Sequence, residues 1–143
     1  MIFSFIKKIF FFLAFTSLCF SEEVHDFKGQ HFIASYTGCN MSALCDTDSL
    51  VQAMEQAIKE SGATILNSSS YLFPGDGMTM VFLLSESHAS IHTYPEYASC
   101  FIDLFTCGDL CSYERFHASL SSYLTPTHIN KKILIRHQTI DDI

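Results

Sequence analysis

From Thr64 to Phe105 the chain is a succession of strand-length segments divided by strong chain breakers, and this constrains the fold more than any other feature. Thr64–Phe73 reads as a strand, and Pro74-Gly75-Asp76-Gly77 ends it in a turn. Met78–Leu84 is apolar without polar alternation, the pattern of a buried strand. Ala89–Tyr94 and Cys100–Phe105 read as two more strands, separated by Pro95 and its neighbours. Upstream, His31–Tyr36 is a first strand and Gly38–Asp48 a loop rich in Asn, Ser, Asp and Cys. Asp48 or Ser49 is placed to cap a helix whose apolar face is Leu50, Val51, Met54, Ala57 and Ile58, and Gly62 is placed to end it. Tyr113–Leu124 suits a second helix, with Phe116, Leu120 and Leu124 on one face and Pro126 as the stop, and Ile133–His137 is a last strand. The predicted order is β-α-β-β-β-β-α-β. Helices this sparse cover one face of a sheet, so the expected class is α+β: a two-layer α/β sandwich, mostly antiparallel, with helices on one face. The other face needs a cover, which points to a homodimer or higher assembly.

A chain of 143 residues supports one domain. Its net charge of −7 lacks the basic footprint of a nucleic-acid binder. The first 21 residues stand apart: Lys7 and Lys8 precede an apolar run, Ile9–Phe20, and no acidic residue occurs before Glu22. That pattern fits a secretory signal peptide, and the run is short for a membrane span of roughly 20 residues. The expected organisation is therefore a leader over 1–21 and one domain over 22–143. Of the six cysteines, Cys19 lies in the leader, and neither Cys39/Cys45 nor Cys107/Cys111 has CxxC spacing, which argues against a zinc site.

The stretch Ser85-Glu86-Ser87-His88-Ala89-Ser90-Ile91-His92-Thr93-Tyr94-Pro95-Glu96 gathers serine, histidine and glutamate, and Cys107 follows twenty residues after Ser87. A hydroxyl, an imidazole and a thiol on neighbouring strands could cut the chain's own backbone and so make a cofactor from it. His88 and His92 have a metal-ligand spacing only on a helix, and Pro95 with the β-branched neighbours gives none, so no metal is expected. Taken singly, Ser87, Cys107 and Phe73 read better as core residues than as functional ones.

Taken jointly, Gly29-Gln30-His31-Phe32, Glu60-Ser61-Gly62-Ala63-Thr64-Ile65, the block Ser85–Tyr97 and Ile102-Asp103-Leu104-Phe105-Thr106-Cys107-Gly108 resemble the prokaryotic S-adenosylmethionine decarboxylase proenzyme family. The resemblance runs from about Gly29 to His137, and the leader has no counterpart in it. It implies a self-processing enzyme cut at Glu86–Ser87 into a β chain ending at 86 and an α chain starting at 87, with a pyruvoyl cofactor derived from Ser87. It implies His92 as the base in processing and Cys107 as the proton donor in decarboxylation. Phe73 matches an adenine-side aromatic. Thr79 stands where the family often has serine, Tyr94 where tryptophan is common, and Glu96 either binds substrate or caps the turn after Pro95.

The residue types suit those roles. A serine hydroxyl can attack the preceding carbonyl, a histidine with pKa near 6.5 can remove the α-proton at neutral pH, and a thiol with pKa near 8.5 is protonated and able to donate. A pyruvoyl keto carbon can form a Schiff base with the amine of S-adenosylmethionine and act as an electron sink. Without the resemblance, the residues also fit a small exported, disulfide-containing binding domain, and self-cleavage alone also fits a pyruvoyl decarboxylase of another amino acid. The leader points to export, while the catalytic thiol and the substrate point to the cytoplasm, which is the expected location.

Overall fold

The computed structural model describes residues 28–107 and 110–137, so the leader over 1–21 lies outside it. Its elements are strand β1 (Lys28–Thr37), helix α1 (Met41–Cys45), helix α2 (Thr47–Ser61), and strands β2 (Ile65–Leu72), β3 (Met78–Leu84) and β4 (Ser87–Tyr94). A 3-10 turn (Pro95–Tyr97), strand β5 (Ser99–Thr106), helix α3 (Tyr113–Leu124) and strand β6 (His128–His137) complete the order. The six strands form one sheet, ordered β2-β3-β4-β5-β1-β6, and every neighbouring pair is antiparallel.

Alternation sorts the side chains of the central strands onto two faces. Phe32, Ala34 and Tyr36 of β1, Met78, Met80, Phe82 and Leu84 of β3, Ala89 and Ile91 of β4, and Cys100, Ile102 and Leu104 of β5 are buried on one face. They join Leu44, Leu50, Met54, Ala57, Ile58, Phe116, Leu120 and Leu124 from the helices in a single core. The opposite face carries no helix among the described residues. It leaves Val81, Leu83, Phe101 and Leu134 exposed beside the polar row of Thr79, Ser90, His92 and Asp103. The two-layer sandwich with helices on one face is as expected.

Three local expectations change. Gly38–Asp48 is not all loop: Asn40 Oδ1 accepts the Ala43 N–H at 3.2 Å and nucleates the five-residue α1. The cap of α2 is Asp46, two residues before Asp48 and three before Ser49, because its side chain accepts both the Ser49 N–H at 3.1 Å and the Ser49 hydroxyl at 2.7 Å. The last strand starts at His128, not Ile133, pairing with β1 from Thr37↔His128 to Lys28↔His137. It is an edge strand, exposed nearly throughout, so Asn130, Lys131 and Lys132 hide its period while protecting the edge. Gly62 closes α2 at φ +94, as the sequence required.

Candidate active site

Leu84 pairs with Ser87, which leaves Ser85 and Glu86 as the two-residue connection between β3 and β4. Three backbone donors fix this connection. Ser85 N–H donates to the Thr64 carbonyl and Cys107 N–H to the Glu86 carbonyl, both at 2.9 Å. Thr64 N–H donates to Glu86 Oε2, also at 2.9 Å. The carbonyl that a Ser87 nucleophile would attack is thus already hydrogen-bonded to the amide of Cys107, just past the end of β5. Ser87 has φ +150, a region that non-glycine residues rarely occupy and that costs on the order of 1–3 kcal/mol. Rotation about that bond sets where the Ser87 Cβ lies relative to the Glu86 carbonyl. Ser87 Oγ lies 3.2 Å from His88 Nδ1.

Cys107 follows β5 directly, exposed and beside Gly29 of β1. A Cβ on Gly29 would stand 3.6 Å from Cys107 Sγ and 2.5 Å from the Phe105 ring, so glycine makes room for both. Phe105 packs against His31 at 5.4 Å and His88 at 5.6 Å between ring centroids. The Arg136 guanidinium lies 4.5 Å over its ring. Behind the connection, burial, then the charge of Glu86, push the Cys111 thiol up, while Arg115 opposes them.

The structure brings Ser87, Glu86 and Cys107 together, but His92 of the same chain is elsewhere. It lies five residues further along β4, about 16 Å at ~3.3 Å per residue. There its Nδ1 is 2.9 Å from Thr79 Oγ1, across the directly paired positions of β3 and β4. Phe73 follows β2, half-exposed and edge-on to Tyr71 with centroids 4.7 Å apart. Glu96 is exposed in the 3-10 turn, and Tyr94 packs on Phe101 at 5.4 Å. The candidate residues therefore fall into two separate groups, Ser87 with Cys107 at the end of the sheet where β3 connects to β4, and His92 with Thr79 further along β4 on the open face.

The amides of Cys107 and Thr64 carry no signature of residue type, and His88 stands out in sequence only through its metal-ligand spacing to His92, so none of the three is legible there as part of this junction. A disulfide-containing binding domain finds no support, since Cys39, Cys45, Cys100, Cys107 and Cys111 are all free thiols. No helix among the described residues is long and apolar enough to cross a membrane.

Comparison with known proteins now adds to this geometry. The family model described as S-adenosylmethionine decarboxylase matches residues 30–137. An S-adenosylmethionine decarboxylase proenzyme from Thermosipho melanesiensis is 44% identical over 81 residues, which cover 57% of this chain and 62% of the relative. The chain thus spans about three-fifths of that relative's length. One from Hydrogenobaculum is 37% identical over 108 residues, covering 76% of this chain and 81% of the relative. The crystal structure of the adenosylmethionine decarboxylase from Aquifex aeolicus aligns with a TM-score of 0.73 at 31% identity, covering 80% of this chain and 94% of that one. By the span of the family match and the shared fold, this chain belongs to the S-adenosylmethionine decarboxylase family.

Proposed function

We propose that this protein is a self-processing, pyruvoyl-dependent S-adenosylmethionine decarboxylase, releasing carbon dioxide and giving the aminopropyl donor of polyamine synthesis. The observation that carries the reading is the Glu86–Ser87 bond, set in a two-residue connection with its carbonyl already accepting the Cys107 amide.

In processing, Ser87 Oγ attacks the Glu86 carbonyl carbon, and the peptide becomes an ester as the Ser87 nitrogen takes a proton. The Cys107 N–H is positioned to stabilise the negative charge that develops on the Glu86 oxygen. A base then removes the Ser87 α-proton and the Glu86 carboxylate leaves. The resulting dehydroalanine hydrolyses, releasing ammonia. A serine at the start of β4, reachable from solvent and held at an unusual φ, fits the precursor of such a group.

A pyruvoyl group at position 87 supplies an electrophilic keto carbon that condenses with the substrate amine and accepts the electron pair freed as carbon dioxide leaves. Cys107, with its amide against residue 86, holds a proton at Sγ for the substrate's α-carbon. The half-exposed Phe73 offers a ring face to the purine and the sulfonium, and Thr79 and Glu96 complete the expected substrate contacts.

His92 serves as processing base in this reading, and its distance from Ser87 within one chain supports action in a homodimer or higher assembly. A second copy covering the exposed Val81, Leu83 and Phe101 would bring one copy's His92/Thr79 pair toward the other's Ser87. The thiol chemistry fits the cytoplasm, and a native β chain starting near Glu22 would instead show export.

Intact mass spectrometry of the denatured protein, with and without a carbonyl-reactive amine, tests the reading. Two chains split at Glu86–Ser87 are expected, the C-terminal one lighter by the serine-to-pyruvoyl change and trapped by the amine, with Ser87→Ala left whole. A well-folded wild-type protein that stays one chain would overturn it.

A further inference from the structure

We propose that His88 is a further catalytic residue of the self-cleavage: it takes the Ser87 hydroxyl proton as Oγ attacks the Glu86 carbonyl. The inference deepens the self-processing reading and rests on it. That reading gives His92 to the later removal of the α-proton and leaves the first proton transfer without an acceptor. His88 Nδ1 lies 3.2 Å from Ser87 Oγ, and no other side chain among the described residues hydrogen-bonds to that hydroxyl. His92 is further along β4, with its Nδ1 2.9 Å from Thr79 Oγ1.

A regular strand does not supply this contact. Successive strand residues point to opposite faces, which would carry the Ser87 and His88 side chains apart. At φ +150 Ser87 departs from strand geometry, and its hydroxyl stays within reach of the next side chain. The imidazole is fixed independently. His88 is paired directly to Phe105 of β5, and Phe105 in turn to His31 of β1. The three rings form a row: Phe105 lies 5.6 Å from His88 and 5.4 Å from His31, and His31 meets His88 edge-on at 6.2 Å. His31 is held in that row with its Nε2 3.4 Å from Asp103 Oδ1, and Asp103 Oδ2 accepts the Ser90 hydroxyl at 3.1 Å.

With the imidazole proton on Nε2, Nδ1 has the lone pair that accepts from Ser87. The Oγ–H bond breaks and the proton passes to Nδ1. Oγ bonds to the Glu86 carbonyl carbon, and the carbonyl π pair moves onto the oxygen held by the Cys107 amide. As the carbonyl re-forms, the Glu86–Ser87 C–N bond breaks, its electron pair stays on nitrogen, and Nδ1 returns the proton there. His88 ends neutral, and the product is an ester of Glu86 on Ser87 Oγ with a free Ser87 amine. His92 then acts on that ester.

The test follows cleavage of freshly synthesised full-length precursor by mass spectrometry, with and without mild hydroxylamine, which splits esters and spares peptide bonds. Wild type should cleave unaided. His88→Ala should cleave about 100-fold more slowly or worse, and hydroxylamine should leave it whole because no ester forms. His92→Ala should instead be split by hydroxylamine, because its ester forms and waits. His88→Asn keeps a hydrogen-bond acceptor near the Nδ1 position but no basic nitrogen, so it should be as slow as the alanine variant. Added imidazole should speed His88→Ala, since position 88 is exposed, a gain that a merely misfolded variant would not show. Cleavage of His88→Asn within about threefold of wild type would overturn the proposal, as would an ester in His88→Ala that hydroxylamine splits. Wild-type protein that stays whole would refute the self-processing reading itself.

Discussion

Replacing Thr79 with valine removes one hydroxyl from the open face and almost no volume. The Thr79 Oγ1 to His92 Nδ1 separation of 2.9 Å is a good hydrogen bond, partly buried between directly paired strands. For His92 to act as a base through Nε2, its proton must sit on Nδ1 and donate to Thr79. Valine leaves that N–H without its partner, so the catalytic tautomer loses its preference. A neutral hydrogen bond is worth about 1 kcal/mol net, and an unsatisfied part-buried donor raises the loss to about 2 kcal/mol. At 25 °C this is roughly a 5- to 30-fold slower cleavage at Glu86–Ser87. Mass spectrometry of freshly synthesised precursor over time reads the rate directly. Thr79→Ser should keep most of it, and circular dichroism should show all three proteins folded. Cleavage by Thr79→Val within twofold of wild type, or a serine variant as slow as valine, would refute the role given to this hydroxyl.

Cys107→Ala leaves the amide that holds the Glu86 carbonyl but removes the thiol. Chain cleavage should persist while decarboxylation falls by two orders of magnitude or more, seen as labelled carbon dioxide released per cleaved chain. Gly38→Ala should destabilise the fold by about 1–3 kcal/mol in urea titration, since φ is +63 there and a Cβ would lie 2.0 Å from Thr127 Oγ1. His117, hydrogen-bonded through Nδ1 to the Tyr36 hydroxyl, has its pKa lowered, first by burial and then by the Lys131 charge. The unfolded chain therefore binds more protons, and stability is full above the unfolded value near 6.5 and falls as pH drops from there toward the folded value. Thermal unfolding at pH 7.5 and 5.5 should show this loss, and His117→Gln should reduce it; equal losses in both proteins would exclude His117 as the source.

The sandwich is legible from the residues in order, because periodicity and breakers act locally. Met78–Leu84 had to be a strand, although only Met78, Met80, Phe82 and Leu84 are buried and Val81 and Leu83 stay exposed; Pro74–Gly77 could only turn, and Gly62 offers a left-handed cap without a Cβ penalty. The spacing of Ser87 and Cys107 in the primary structure also marked the residues that meet, since the registers of β4 and β5 carry both to one end of the sheet. Elements held by capping or edge pairing were less legible. Asp46 and Asp48 are chemically equivalent caps until the Ser49 amide selects one, and the polar face of β6 acquires its order only from pairing with β1. Only the tertiary structure brings Cys39 and Cys100, 61 residues apart in sequence, into one core. It alone separated His92 from Ser87, because an extended strand turns five residues into a distance that no side chain spans.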